Sequence, residues 1–212
     1  MKPATELRPA PPLDAVLKAR MRAVELVAIG ASAGGVDALL NLLHDLPRDW
    51  HLPVVVVLHL PEGHESRLPA LFAERTHVAV HEARDKLPIE PASLYFAPSG
   101  YHLSVERERY FSLSCEPPVL FSRPSIDLLM ISAADAYGPA LAGVLLTGAN
   151  EDGAQGLLAL RNAGGVAAVQ DPDTALSPTM PLAALNLHQP DIVRPVPGLR
   201  EFLTQMDHAH AQ

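Results

Sequence analysis

The chain alternates short apolar runs, rich in valine, leucine and isoleucine, with stretches in which apolar residues recur at helical spacing. This alternation predicts parallel strands joined by crossover helices. Strands are predicted at 24–29, 53–58, 78–81, 141–146 and 166–170, with an edge strand at 192–193. Helices are predicted at 36–46, 66–75, 125–137, 153–162, 180–187 and 199–206. The four consecutive valines at 54–57 are typical of a central strand buried on both faces.

Residues 94–113 depart from this alternation. Three short runs, at 94–97, 102–105 and 110–113, are separated by Pro98, Gly100 and a charged turn, which favours an antiparallel ribbon or meander. The predicted fold is therefore α/β: a doubly wound, mostly parallel, Rossmann-like three-layer sheet with a small antiparallel β excursion. Three segments are expected, namely a proline-rich tail or linker at 1–22 with a short helix before Val24, a single domain at 23–206, and a disordered tail at 207–212.

Composition narrows the class of partner and the compartment. The 212 residues carry a formal charge of −8 and their 16 basic residues are scattered, so no nucleic-acid partner is expected, because phosphate backbones require clustered Lys and Arg. The most apolar stretch, 52–60, is far shorter than the roughly 20 residues of a membrane span, and no membrane insertion is expected. With only Cys115 available there is no intrachain disulfide, and no signal peptide opens the chain, which favours a cytoplasmic location.

Three side chains with catalytic potential directly follow predicted parallel strands. Ser32 follows the first strand, His59 the valine-rich strand, and Asp152 the strand at 141–146. Loops that leave the carboxyl ends of parallel strands converge at one edge of the sheet, so these three residues can meet there. In a triad, His59 would accept the Ser32 proton and Asp152 would orient the imidazole. Their order along the chain differs from that of the α/β-hydrolases.

Each of these residues also has a simpler interpretation. Residues 30–34, Gly-Ala-Ser-Ala-Gly, match the G-x-S-x-G turn that exposes a nucleophilic serine, but Ser32 alone would equally suit a helix cap or a glycine-rich phosphate-binding loop. A lone histidine such as His59 is more often structural, and Asp152 matches a capping box for the helix that follows it. Asp171 is an alternative carboxylate. The ten histidines show no paired ligand spacing, so neither a metal nor a cofactor is expected.

Four segments resemble the catalytic domain of the chemotaxis protein-glutamate methylesterases, the CheB type. They are I-G-A-S-A-G-G-V-D-A-L, V-V-L-H-L-P, L-T-G-A-N-E-D-G-A-Q-G and Q-D-P-D-T-A-L-S-P-T-M-P-L-A-A-L. Y-F-A-P-S-G-Y-H-L and P-S-I-D-L-L extend the similarity, which covers about residues 24–195. The resemblance implies a methylesterase-like catalytic domain at 23–206 with a Ser32, His59, Asp152 triad. It also implies that the backbone N–H groups of Ala33 and Ala149 bind the oxyanion.

The resemblance further implies an activity and its partners. The expected reaction is hydrolysis of glutamate methyl esters on the cytoplasmic helices of chemoreceptors, with glutamine deamidation as a second activity. The family often has Thr at the position of Ala33, Gln at that of Leu58 and Met at that of Ala149. Members commonly carry an N-terminal receiver domain, and the segment before Val24 is too short to be one, so regulation is expected from a separate receiver protein or not at all. A phosphate- or nucleotide-binding module and a catalytically silent receptor-binding scaffold are the alternative functions.

Overall fold

The computed structural model describes residues 14–44, 46–59 and 67–211, so the first 13 residues of the predicted tail lie outside it. The helices are α1 (Ala15–Arg22), α2 (Gly35–Leu43), α3 (Leu68–Ala73), α4 (Ile126–Tyr137), α5 (Ala154–Asn162), α6 (Thr179–Leu187) and α7 (Val196–His210). The strands are β1 (Leu26–Ala31), β2 (Val54–Leu58), β3 (Ala79–Glu82), β4 (Ser93–Phe96), β5 (His102–Val105), β6 (Phe111–Ser114), β7 (Leu141–Leu145), β8 (Val166–Gln170) and β9 (Ile192–Arg194). Among these residues, no helix combines the length and apolar character needed to cross a bilayer.

Seven strands form one parallel sheet in the order β3-β4-β2-β1-β7-β8-β9. From β1 the chain moves first to β2 on one side and later to β7 on the other, so the direction of winding reverses at β1. β5 and β6 form a separate antiparallel pair. The predicted doubly wound α/β fold with a small antiparallel excursion is confirmed, and the topology puts the switch point at the strand that precedes Ser32.

Helices cover both faces of the sheet, and a separate hydrophobic core fills each side. Along β2 the side chains alternate between the two cores: Val54 and Val56 pack in one, Val55 and Val57 in the other. The four valines are at most 1% exposed. This two-sided burial explains why the strand has no polar alternation.

Two predicted segments differ from the structure. The run at 94–97 was expected in the antiparallel ribbon, but β4 pairs in parallel with β2 and β3, so only β5 and β6 form the excursion. The tail predicted at 207–212 is helical as far as His210, because α7 does not end at Met206. Asp207 is fully buried, and its Oδ1 accepts hydrogen bonds from the amides of His51 and Leu52 at 2.8 and 2.9 Å. Those bonds tie the end of the helix to the loop that leads into β2.

Candidate active site

Three adjacent strands end at the same edge of the sheet and position the candidate catalytic residues. β1 lies between β2 and β7, with Ala31 in register with Leu58. Ser32 therefore follows β1 directly and His59 follows β2 directly. Two backbone bonds lock the strand ends together: Ser32 N–H donates to the Thr147 carbonyl at 2.9 Å, and His59 N–H donates to the Ala31 carbonyl at 3.1 Å. The predicted convergence of these loops is thus present.

His59 is paired with Asp152. The distance from His59 Nε2 to Asp152 Oδ2 is 2.9 Å, and the imidazole is only 11% exposed. Because an ionised carboxylate can only accept, Nε2 carries the proton and Nδ1 is left as the basic nitrogen. This geometry fits the orienting role expected of Asp152.

Asp152 also caps a helix, but not the one expected from the sequence. Its carboxylate accepts from the Ser125 hydroxyl at 2.9 Å and from the amides of Ile126 and Asp127 at 2.7 and 3.0 Å. These groups form the N-terminus of α4. The helix that directly follows Asp152 is α5, which starts at Ala154 and whose N-cap residue is Gly153 rather than Asp152. The capping-box interpretation was wrong about the helix: it predicted a cap on α5, the next helix in sequence, whereas Asp152 caps α4, which precedes it in the chain.

Two carboxyl groups near the start of α4 have pKa values shifted in opposite directions. Burial favours the neutral form of Asp152, but the hydrogen bonds from His59 and from the amides of Asp127 and Ile126 outweigh it and hold the pKa of Asp152 below its usual value. Burial raises the pKa of Asp127 from 3.8 to about 6, and the nearby Asp152 charge adds to the rise. The amide of Gly156, which donates to Asp127 at 2.6 Å, opposes it in part. Negative charge is therefore concentrated on the carboxylate that contacts His59.

The basic nitrogen of His59 is bonded to a residue that the sequence did not indicate. Ser122 Oγ lies 3.2 Å from His59 Nδ1, and the Asn150 side-chain amide donates to the same hydroxyl at 3.4 Å. Since Nδ1 carries the lone pair, the Ser122 hydroxyl is the donor. No motif marks Ser122; the only signal nearby was the P-S-I-D-L-L segment that begins two residues later.

Ser32 is half-buried, and within the described part of the chain its hydroxyl makes no hydrogen bond. It does not cap α2, whose N-cap is Gly34 with a φ of 77°. The phosphate-loop interpretation also weakens, because the amides of Ser32 and Gly35 already donate to the carbonyls of Thr147 and Ser32. The hydroxyl is thus not committed to a structural contact, and Ser32 follows a strand end next to the one that His59 follows.

The two residues expected to bind an oxyanion lie on loops that are held firmly. Ala33 and Ala149 are both exposed, and the amide of neither donates to any residue in 14–44, 46–59 or 67–211. The Thr147 hydroxyl donates to the Ala33 carbonyl at 2.8 Å, and Gly148 N–H donates to Ser177 at 3.0 Å. Both amides therefore have the free donor that an oxyanion site requires.

The remaining predicted groups lie elsewhere or form no site. Asp171, the alternative carboxylate, accepts from the amide of Asp173 at 3.1 Å and begins a short 3-10 helix at Pro172–Thr174. Over the described residues, no cluster of three or more His, Cys, Asp or Glu side chains is suited to hold a metal ion.

Comparison with known proteins identifies the family of the chain. A family model described as CheB methylesterase matches residues 27–203. The chain belongs to the CheB methylesterase family. A crystal structure of the Thermotoga maritima CheB methylesterase catalytic domain is similar with a TM-score of 0.82 and 28% identity, over 86% of this chain and 98% of that one.

Relatives in the CheB methylesterase family differ in length. A Leptospira interrogans protein is 38% identical over 183 residues, which are 86% of this chain and 95% of that protein. The protein-glutamate methylesterase/protein-glutamine glutaminase 2 of Anaeromyxobacter dehalogenans is 41% identical over 188 residues, covering 89% of this chain but 55% of its own length. The protein-glutamate methylesterase FrzG of Myxococcus xanthus is 34% identical over 95% of this chain and 57% of its own length. The chain thus spans nearly all of one relative and little more than half of the other two.

Proposed function

We propose that this chain is a serine hydrolase that removes methyl esters from glutamate side chains of chemoreceptors. The observation that carries the proposal is the 2.9 Å bond between His59 Nε2 and the buried Asp152 carboxylate, at the strand end next to Ser32. This bond sets the tautomer that leaves Nδ1 basic. Membership of the CheB methylesterase family selects an ester of a protein side chain as the substrate class.

In this mechanism Ser32 is the nucleophile and His59 the general base. His59 Nδ1 exchanges its hydrogen bond from the Ser122 hydroxyl to the Ser32 hydroxyl and takes the Ser32 proton as Oγ attacks the ester carbonyl. Asp152 stabilises the resulting imidazolium. The imidazolium then returns the proton to the departing methoxide, which leaves as methanol, and an acyl-enzyme remains. His59 then takes a proton from water, which attacks the acyl-enzyme; the imidazolium returns this proton to Ser32 Oγ as the acyl bond breaks, and glutamate is released.

The oxyanion of each tetrahedral intermediate would accept hydrogen bonds from the amides of Ala33 and Ala149. Both amides are backbone groups, so the alanine side chains at these positions do not remove the donors. A glutamine side chain would give the same acyl-enzyme with ammonia as the leaving group, and we include this deamidation in the proposal. The remaining elements of the proposal are a cytoplasmic location and receptor helices as partners.

Replacing Ser32 with alanine tests the nucleophile. Methanol release from methylated receptor membranes should fall at least about 10³-fold, and labelling by a fluorophosphonate probe should disappear. Ser104→Ala is the matched control, because Ser104 is half-buried in β5, outside the seven-stranded sheet, and lines a different cleft with Ser132 and Asp135. Full activity in Ser32→Ala would exclude this nucleophile.

The same assays separate the alternative functions. A silent scaffold would bind receptors without reacting with the probe. A nucleotide-binding module would give calorimetric heat with a nucleotide panel and release no methanol.

A further inference from the structure

Two of the most exposed apolar side chains lie near the proposed active site. Among the described residues, the most exposed large apolar side chains are Phe121 at 103%, Leu176 at 79% and Val16 at 70%. Val16 lies on α1, which packs against α7. Phe121 and Leu176 both lie on loops that contact the groups around Ser32. Two of the three most exposed large apolar side chains therefore lie at one site.

Phe121 is fixed beside the catalytic base. It is in a two-residue turn whose flanking residues, Val119 and Ser122, exchange backbone hydrogen bonds of 3.1 and 2.8 Å. Leu120 and Phe121 have φ values of 47° and 63°, a pair of left-handed conformations that Asn and Gly adopt most readily. Ser122 in turn bonds His59 at 3.2 Å. The turn thus holds an aromatic ring in solvent one residue away from a group that contacts the base.

Leu176 is fixed beside the nucleophile turn. A Cβ atom placed on Gly34 would lie 2.8 Å from the Leu176 Cβ, so the leucine packs directly against the turn that follows Ser32. The next residue, Ser177, donates its amide to the Thr147 hydroxyl at 2.9 Å, and that hydroxyl bonds the Ala33 carbonyl. The rim of the site therefore carries two exposed apolar groups on two separate, anchored loops.

We propose that Phe121 and Leu176 bind apolar side chains of the protein segment that carries the ester. This inference rests on the proposed function and names the contacts that select a protein substrate over a small ester. A segment that delivers an ester to Ser32 must lie over this rim, because the rim is continuous with the nucleophile turn. Both groups are apolar, so the matching surface has apolar residues on either side of the esterified glutamate. On a helix, such residues occur three or four positions away.

A second copy of the chain is a weaker match for this surface. A stable interface between two proteins buries about 800 Å² on each partner, whereas an aromatic side chain buries on the order of 150–250 Å². Two isolated side chains on loops do not supply such an area. They do suffice to raise the affinity for a substrate that is already held at the nucleophile.

Phe121→Asn and Leu176→Ser test the proposal. Asparagine tolerates the left-handed backbone at 121, so the ring is removed without disturbing the turn. Steady-state kinetics are measured with a methylated receptor fragment and with a small acetate ester. We expect each change to raise KM for the receptor fragment about tenfold with little change in kcat, as for loss of uniform binding. The ratio of kcat/KM for the fragment to that for the small ester should fall by a similar factor, whereas Phe121→Trp should keep the wild-type ratio.

Val16→Gln is the matched control, since it makes an equally exposed apolar residue polar on α1; we expect no change in either rate. An unchanged substrate ratio in both rim variants would overturn the proposal while leaving the methylesterase function intact. Wild-type protein that releases no methanol would overturn both. Sedimentation showing a wild-type dimer that Phe121→Asn dissociates would assign the rim to a second copy and refute substrate binding there.

Discussion

Replacing Asp152 with asparagine should damage both the fold and the reaction, because one carboxylate serves both. Oδ1 accepts from the Ser125 hydroxyl at 2.9 Å and the Asp127 amide at 3.0 Å. Oδ2 accepts from the Ile126 amide at 2.7 Å and from His59 Nε2 at 2.9 Å. The side chain is fully buried. Asparagine offers one acceptor oxygen, so its amide nitrogen would face two of these four donors.

The cost in stability depends on which donor loses its acceptor. A serine hydroxyl can rotate and an imidazole can change tautomer, but a backbone N–H can do neither. In either orientation of the asparagine, one amide in the first turn of α4 is left buried without a partner, at a cost of about 1–3 kcal/mol. Loss of the charge that strengthens the remaining bonds adds about 1–2 kcal/mol. We expect Asp152→Asn to lower the free energy of unfolding by about 2–5 kcal/mol.

The same change should slow the reaction at a temperature where the variant is folded. If the new amide nitrogen faces His59, the imidazole must present a lone pair to it at Nε2, and Nδ1 becomes protonated and unable to accept from Ser32. In the other orientation the imidazolium faces a neutral oxygen. Both outcomes remove the stabilisation of the charged base, and kcat should fall on the order of 10²- to 10⁴-fold.

Urea denaturation and methanol release measure the two effects separately. Asp14→Asn is the control: Asp14 caps α1 by accepting from the Leu17 amide at 2.7 Å, a role that asparagine fills equally well. Unchanged unfolding of Asp152→Asn would refute the capping argument. A loss of stability with unaltered kcat would show that Asp152 caps α4 without orienting His59.

Substitutions at Asp127 and Ser122 test the neighbours of this network. Because the folded protein raises the pKa of Asp127 from 3.8 to about 6, ionisation destabilises the fold as the pH rises through this window. The free energy of unfolding of Asp127→Asn should therefore rise relative to that of wild type between pH 4 and pH 7, by at most about 3 kcal/mol in urea denaturation. A difference between the two proteins that stays constant over this range would refute this. The control is Asp135→Asn, at an exposed position. Ser122→Ala should speed fluorophosphonate labelling of Ser32 about fivefold, since one competing hydrogen bond to His59 Nδ1 is lost. Ser122→Thr keeps the hydroxyl and should label at the wild-type rate. Slower labelling of Ser122→Ala would mean that Ser122 assists the base.

The sequence predicted the sheet well because its strands are marked by strong local signals. The valine run of β2 has no polar alternation, and the structure buries it between two cores. The weaker predictions fell where tertiary contacts decide the outcome. β4 is one of several short runs near turns, and only its position beside β2 makes it part of the parallel sheet. The final residues look polar, yet Asp207 is buried because it accepts two amides from the loop before β2.

The site could be predicted in its positions but not in its bonding. Residues at strand ends were expected to converge, and the structure brings His59 and Asp152 into contact. The Ser122 contact could not have been anticipated, because it depends on a turn between Val119 and Ser122 whose two inner residues are unusual there. Local sequence patterns predict turns with Asn or Gly at such positions, not with leucine and phenylalanine.

Helix packing, and not only the sharp turn of the G-x-S-x-G pattern, requires glycine near the active site. A Cβ on Gly30 would lie 2.3 Å from Ile126 Cγ2, and one on Gly153 would lie 2.7 Å from the same atom. The first turn of α4 therefore packs against both the nucleophile strand and the loop that carries Asp152. Since that same turn donates its amides to Asp152, one helix end sets the positions of the nucleophile strand and the carboxylate together. A glycine pattern that records helix packing is compatible with a cap, a phosphate loop or a nucleophile, which is why the motif alone could not distinguish them.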